Sequence, residues 1–437
     1  MKPKGLLIAV GLLAVLGGFS WWAYKHPADA SKTGAEAGGA PTKLLTIPDD
    51  QFKEIKIAKL TGETIDLKKE DGKWKMVEPK QLPADQDAAG AMQSTLNSLS
   101  SEKLIEDKAT DLKPYGLDRP TLDIQIFRAD GKTDHLLIGD DTPTGSGSYA
   151  KLAGDPRVFT VASTVKTTID KRPEDLRDKR LLTFDSDKLT RVELAAKGPA
   201  IEFGKNAQNE WAIVKPRPLR ADGSAVDALV SKLKDAKMDL GNPSEDPAKK
   251  FAASAKVAAV TLTDSSGTQT LEIRRDQEKN IYAKSSAVQG IYKANADLGD
   301  ALDKGLDDFR NKKLFDFGFS DPSKVELKGV TYTKDGDKWK SNGKLMDNTS
   351  VQNLIDKLRD LTATKFAEKG GGQPVFEATV TAKHPEKVTI SKQGDEYFAQ
   401  REGEPSIYVL DGKAVEDLQK AAQDVKEAPP ETPAKKK

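Results

Sequence analysis

The chain has 437 residues, 37% apolar and 31% charged, and its 69 basic side chains almost cancel its 68 acidic ones at a net charge of +1. That balance leaves no global field to recruit nucleic acid or an acidic substrate, while the apolar content is too high for wholesale disorder. With no cysteine in the sequence, disulfides, thiolate catalysis, Cys-ligated zinc, iron–sulfur clusters and a lipid-modified cysteine are excluded.

In chain order, residues 5–24 form a run of 20 without a charge. As a helix they span ~30 Å, about the hydrocarbon thickness of a bilayer. Trp21, Trp22 and Tyr24 close the run, where amphipathic rings suit the membrane interface. Lys2 and Lys4 precede it and Lys25, Lys32 and Lys43 follow, so the short basic N-terminus carries the orientation. The expectation is a transmembrane anchor over residues 1–26 in the inner (cytoplasmic) membrane, N-terminus cytoplasmic, with the bulk of the chain periplasmic or extracytoplasmic. A cleaved signal peptide is the competing reading, since Ala28-Asp29-Ala30 has the A-x-A form. That site lies far beyond the apolar run, across two Trp, a Tyr and a Lys. Residues 27–43 are rich in Ala, Gly, Pro, Ser and Lys and read as a flexible linker; residues 427–437 read as a disordered tail.

Between these ends one unit is written three times. Residues 175–194 match residues 308–327 at an offset of 133. A polar turn followed by a tryptophan recurs at Trp74, Trp211 and Trp339. Tyr149-Ala150-Lys151, Tyr282-Ala283-Lys284 and Phe398-Ala399-Gln400 recur too, each followed by an aromatic in a short apolar run, Phe159, Tyr292 and Tyr408. Each unit opens with alternating apolar residues, Ile55 and Ile57 or Val192 and Leu194, which predict half-buried strands, and a hairpin leads to the Trp-bearing strand.

One amphipathic helix follows in each. Its apolar faces are Ala88, Met92, Leu96 and Leu99, then Val226, Leu229, Val230 and Leu233, then Val351, Leu354, Ile355 and Leu358. Ser224 and Thr349 stand as N-caps, the latter in a capping box with Gln352. Further strands cover Leu122 to Ile126, His135 to Ile138, Tyr149 to Leu152 and Val158 to Val161, and a short helix with Leu176 or Phe309 ends the unit. A sheet with one apolar face needs a cover, and a lone amphipathic helix needs a partner. The predicted fold is therefore α+β: tandem antiparallel sheets, each covered by one main helix. The units run over residues 44–182, 183–316 and a shorter 317–426.

The turn Asp71-Gly72-Lys73-Trp74, the stretch Tyr115-Gly116-Leu117-Asp118-Arg119-Pro120, the segment Leu137-Ile138-Gly139-Asp140-Asp141-Thr142-Pro143 and Tyr149-Ala150-Lys151 with Leu176-Arg177-Asp178-Lys179 carry a resemblance. Together they are similar to the bacterial domain of unknown function 4340 family (DUF4340), best over residues 44–194 and in weaker form beyond. The second unit lacks the Tyr-Gly-Leu-Asp and Gly-Asp-Asp-Thr-Pro counterparts. The resemblance implies a membrane-anchored envelope protein, some of whose relatives accompany ABC-type transporters or gliding-related export systems; it implies no catalytic residues.

Chemistry-bearing patterns are sparse. Gly145, Gly147 and Ala150 fit a G-x-G-x-x-A spacing, but a dinucleotide site needs that turn between strand and helix, and Tyr149 onward reads as a strand. The loop is read as a hairpin connection. The sequence has no phosphate-binding Walker pattern and no calcium-loop pattern, so Asp49-Asp50, Asp140-Asp141 and Asp307-Asp308 read as turn and cap residues. His26, His135 and His384 lack metal-ligand spacing. The three tryptophans read as core residues, with ligand stacking as the alternative. No catalytic, cofactor-binding or metal residue is assigned, and no cofactor.

The expected function is a non-enzymatic accessory or scaffold subunit, partnered with the bilayer through its N-terminal helix and with a membrane or periplasmic complex such as an ABC-type transporter. The alternatives are a tethered periplasmic hydrolase acting through carboxylates, which predicts a pocket of convergent Asp or Glu in one unit only, and a ligand-binding or sensing module.

Overall fold

A computed structural model describes residues 41–241, 246–319 and 321–429. The proposed anchor, most of the linker and most of the tail lie outside the described residues. Among those described, no helix is long and apolar enough to cross a membrane. The chain divides into two compact units at Asp178/Lys179, the first holding one sheet and the second holding two.

The first sheet has nine antiparallel strands in the order β4-β3-β2-β1-β6-β7-β8-β9-β5. They are β1 (Phe52–Lys59), β2 (Thr64–Glu70), β3 (Lys73–Glu78), β4 (Leu82–Pro83), β5 (Lys103–Glu106), β6 (Leu122–Arg128), β7 (Thr133–Asp141), β8 (Gly147–Leu152) and β9 (Val158–Ala162). Helix α1 (Gln86–Asn97) leaves β4, and α2 (Ser163–Ile169) and α3 (Pro173–Leu176) follow β9. Alternation in β1 buries Ile55 and Ile57 and leaves Glu54 and Lys56 on the other face, as the two-residue period of a half-buried strand requires. Met92 and Leu96 of α1 fill the buried side.

The same order returns twice in the second unit. The second sheet comprises β10 (Arg191–Ala195), β11 (Ile201–Lys205), β12 (Trp211–Lys215), β13 (Leu219–Arg220), β14 (Met238–Asp239), β15 (Ala255–Asp264), β16 (Gly267–Arg275), β17 (Ile281–Ser285) and β18 (Ile291–Ala294). Helices α4 (Gly223–Lys234), α5 (Pro247–Ala253) and α6 (Asp297–Leu302) accompany it. The third comprises β19 (Lys324–Leu327), β20 (Val330–Asp335), β21 (Lys338–Ser341), β22 (Lys344–Leu345), β23 (Ala363–Ala367), β24 (Gln373–Thr381), β25 (Pro385–Gln393), β26 (Glu396–Arg401) and β27 (Ile407–Leu410), with α7 (Asn348–Asp360) and α8 (Gly412–Gln423).

The repeat holds at the level of register. Ala150 faces Phe159, Ala283 faces Tyr292 and Ala399 faces Tyr408 across the same strand pair of each sheet. A lysine on the preceding strand faces each tryptophan, Lys69 to Trp74, Lys205 to Trp211 and Lys334 to Trp339, with its ammonium 5.4, 5.2 and 5.9 Å from the ring centroid.

Each sheet's edges are closed by its own flanking chain. The opening segment pairs alongside β5, β14 and β23 through Lys43 with Ser100, Arg180 with Lys237 and Lys313 with Thr362. The closing segment pairs with β4, β13 and β22, where Asp178, Asn311 and Ala428 donate their backbone N–H to the carbonyls of Pro83, Arg220 and Leu345. Thus Lys43, read as linker, and Glu427 and Ala428, read as tail, are already paired. Leu314 and Phe315, read as part of the second unit, pack in the third core.

Two features differ from the sequence reading. The helices begin earlier than expected: Asp222 and Asp347, not Ser224 and Thr349, accept the first-turn N–H groups, and Gln352 donates to Asp356 rather than closing a capping box. A carboxylate in that position also meets the positive end of the helix dipole, which favours aspartate over a hydroxyl. Secondly, the main helix does not cover its sheet alone. In the third unit α8 is as long as α4 and buries Val415, Leu418 and Ala421, with Lys357 of α7 bound to Asp417. The third unit is shorter because five residues, 368–372, join β23 to β24 where fifteen, 107–121, join β5 to β6. Gly372 makes that short connection possible: its φ is +110° and a Cβ would lie 2.1 Å from the carbonyl oxygen of Lys392.

Candidate functional site

Of the residues that carry the family resemblance, Tyr115-Gly116, Gly139 and Tyr149 come together around β7 and β8 and pack, whereas Trp74 stands on β3, four strands from β7. The backbone of Tyr115-Gly116 crosses β7 at Gly139, so close that a Cβ there would sit 2.1 Å from the Tyr115 carbonyl oxygen. The Tyr115 hydroxyl donates to Glu106 at 2.9 Å, which raises the phenol's pKa, and its ring meets Tyr149 edge-on at 5.0 Å. Asp141 accepts from Lys166 at 2.8 Å and from Ser148 at 2.7 Å, and these bonds hold its carboxyl below the usual range. The Gly-rich segment after β7 is a hairpin into β8, as its strand-like flanks predict.

Of the adjacent carboxylates Asp308 caps a turn, as read, while Asp141 and Asp307 pair with Lys166 and Arg310 and Asp49 binds side chains of α1. Asp49 accepts from Gln93 at 2.9 Å and Asn97 at 3.1 Å, and Asp308 accepts from the Gly305 N–H at 2.8 Å. His135 Nε2 lies 2.7 Å from Asp123 across two strands, while His384 is exposed on a turn. His26 lies outside the described residues. Among the described residues no group of three His, Asp or Glu converges to hold a metal ion.

A different place stands out, a cleft of about 1020 Å³ in the second compact unit, between the β12–β13 edge of the second sheet and the turns of the third. It lies where the second copy departs from its siblings at two positions, Gly223 and Arg220. In the first copy, Gln86 opens α1 and its side chain bonds the Trp74 backbone twice, accepting from N–H and donating to the carbonyl, both at 2.9 Å. In the third, Asn348 opens α7 and accepts from the Trp339 N–H at 3.3 Å. In the second that position is Gly223, which has no side chain to offer.

Accordingly Trp74 and Trp339 are buried, whereas Trp211 stays half-open and lines the cleft with Gly223. Its indole N–H donates instead to Asp227, one turn along α4, at 2.8 Å. The core reading of the tryptophans therefore holds for two of the three.

The second departure is Arg220, which follows Leu219 where the first copy has Pro83 and the third Leu345. Its guanidinium reaches into the third unit, bonding Asp316 and the Lys313 carbonyl, and donating to the Tyr408 hydroxyl at 3.0 Å. Its Nε lies 2.8 Å from Glu404 Oε1, an ion contact that is not aligned as a hydrogen bond. Arg401 donates to Glu404 at 2.7 Å and to Glu386 at 3.0 Å, and Tyr408 donates to Glu404 at 2.8 Å. Burial opposes the charge on Arg220, but Tyr408, Asp316 and Glu404 outweigh it and hold the guanidinium protonated above its ordinary value. Burial likewise pushes the Tyr408 phenol up, against the pull of Arg220. The floor of the cleft is thus a closed network of two arginines and three carboxylates, rimmed by Trp211, His384 and the fully exposed Phe319.

Sequence reasoning missed this site because its parts are up to 188 residues apart. The available signal was Gly223 standing where its siblings carry Gln86 and Asn348.

No curated protein and no solved structure matches the chain. Residues 74–211 and 211–387 each match the family described as Domain of unknown function (DUF4340), two successive matches that cover over two thirds of the sequence. The chain belongs to the DUF4340 family.

Proposed function

We propose that the protein is a non-enzymatic, membrane-tethered envelope subunit, an accessory or scaffold of a membrane complex such as an ABC-type transporter. In this reading residues 1–26 anchor it in the inner membrane, and the repeated sheets lie on the periplasmic or extracytoplasmic side. The observation that carries it is the commitment of the cleft's reactive groups to one another. A general acid needs a carboxyl held neutral near working pH, whereas Glu386, Glu404 and Asp316 each face an arginine. The uncharged run of residues 5–24 and the Trp21-Trp22 belt support the tether.

Extraction in mild detergent at native expression, followed by affinity purification, tests the proposal. A membrane complex is expected to co-purify, and a solitary monomer would overturn it. The second reading, a hydrolase working through carboxylates, draws on the same cleft, since five carboxylates line it within the second compact unit, Glu210, Asp316, Asp321, Glu386 and Glu404. Steady turnover of an envelope polymer, lost in Glu404→Gln with folding retained, would put that reading first.

A further inference from the structure

We infer that the cleft of the second compact unit is a binding site for a neutral oligosaccharide. The inference goes beyond the tether-and-partner reading and stands on the cleft alone.

The repeat supplies its own control. Where Gln86 and Asn348 bond the backbone of a buried tryptophan, Gly223 offers no side chain and Trp211 is half-open, and a Cβ added at Gly223 meets nothing within 4 Å. Its backbone is ordinary helix, so neither a left-handed conformation nor close packing demands glycine there. Glycine also weakens a helix interior relative to alanine. Its consequence in this fold is space beside an indole.

Charge then narrows the occupant. Arg220 is spent on Asp316 and Glu404, Arg401 on Glu386 and Glu404, and the rim's Asp321 on Lys334 at 2.8 Å and Arg359 at 3.2 Å. Apart from the rim's Glu210, Lys383 and His384, an ionic ligand would have to break pairs that are partly buried, at a cost its own charge recovers only in part. A neutral polyol faces no such exchange. Its hydroxyls can donate to the outer lone pairs of carboxylates and accept from the edges of guanidiniums while those pairs stay closed. The C–H faces of sugar rings are apolar and match the exposed Phe319 and the half-open Trp211 on the face that Lys205 does not cover, giving one ligand that uses both the rim and the floor. In size the cleft matches the upper end of ordinary ligand sites, about 1,000 Å³, which suits an oligomer rather than one ring.

The test titrates the full chain in detergent micelles with two probes, the β-1,4-linked tetramer of N-acetylglucosamine and maltotetraose, by calorimetry and tryptophan fluorescence. Trp211→Phe assigns the optical signal, since Trp74 and Trp339 are buried. Saturable binding of at least one probe is expected, with an affinity insensitive to salt because the ligand is uncharged. Trp211→Ala is expected to weaken it about tenfold or more, the loss of a central aromatic contact. Gly223→Gln, which gives Trp211 the brace its siblings have, is expected to abolish binding with an unchanged Tm.

Failure of both probes to bind overturns the inference, as does wild-type affinity in a folded Gly223→Gln. Binding of a lysine-rich control peptide at this site in place of either sugar would also overturn it, making the cleft a protein-docking site. Cleavage of a bound probe would leave the sugar site standing and remove the non-enzymatic reading, so the two proposals fail separately.

Discussion

The first and second copies of the unit share strand order, register and a lysine laid over a tryptophan, yet one is closed and the other open. In the first, Gln86 ties down the Trp74 strand and Pro83 ends the short β4. In the second, Gly223 and Arg220 occupy those positions; one removes a brace and the other fastens the second sheet to the third. A repeated fold can therefore keep its core while releasing a few boundary residues for other work, and the released residues are found by asking which copy breaks a rule its siblings keep.

Mutation can sharpen that contrast. The largest effect is expected from Trp74→Ala, which removes a buried indole and costs about 3–5 kcal/mol. Trp211→Ala removes a half-open ring and costs about 1–2 kcal/mol. Urea unfolding of the two variants measures the difference, and equal losses would mean that Trp211 is as much a core residue as its sibling.

Next comes Arg220→Ala, which leaves Asp316 and Glu404 without their shared cation. Because the Arg220 side chain keeps 19% of its exposure, the expected loss is about 2–3 kcal/mol, below that of a fully buried pair. Limited proteolysis reads it locally: cleavage near residues 311–319 rises while the first sheet keeps its protection.

A third contrast is in pH. Asp66 in β2 is buried, beside Glu54 and Glu78, with Oδ1 unbonded, and burial pushes its carboxyl up to about 6 from 3.8. At the matching place in β11, Glu202 accepts from Lys215 at 2.8 Å and is held below its ordinary value. For Asp66 the folded state keeps a proton that the unfolded chain releases, so its contribution to stability falls as pH rises from about 4 to 6 and is flat above. Asp66→Asn is expected to add about 1–3 kcal/mol at neutral pH and to remove that slope, read as the difference between variant and wild-type unfolding at pH 4 and pH 7. An unchanged difference across that range would mean the carboxylate is solvated. The smallest effect belongs to Gly223→Gln, within about 0.5 kcal/mol of wild type, since the added side chain enters open space.

Much of this fold is legible in the sequence because its elements are periodic. Val226, Leu229, Val230 and Leu233 are all buried, as a 3.6-residue stripe requires, and the Tyr149, Tyr282 and Phe398 markers fall at one register position. The caps were displaced because serine, threonine and aspartate compete for the same role within a few residues. The seven-residue α2 is too short for a periodic stripe to identify. The candidate site was illegible for another reason. Arg220, Asp316 and Glu404 belong to no local pattern, Tyr408 is legible only as a marker of the repeat, and only the fold brings the four together.

The closing pair of one unit and the opening pair of the next fall three residues apart in the chain, Arg177 then Arg180, and Arg310 then Lys313. Every unit thus arrives with both of its sheet borders already occupied by its own flanking strand. A gene could gain or lose a copy at this seam without baring a raw β-edge that invites aggregation. Copy number can then change without inventing new structure at the border of a sheet.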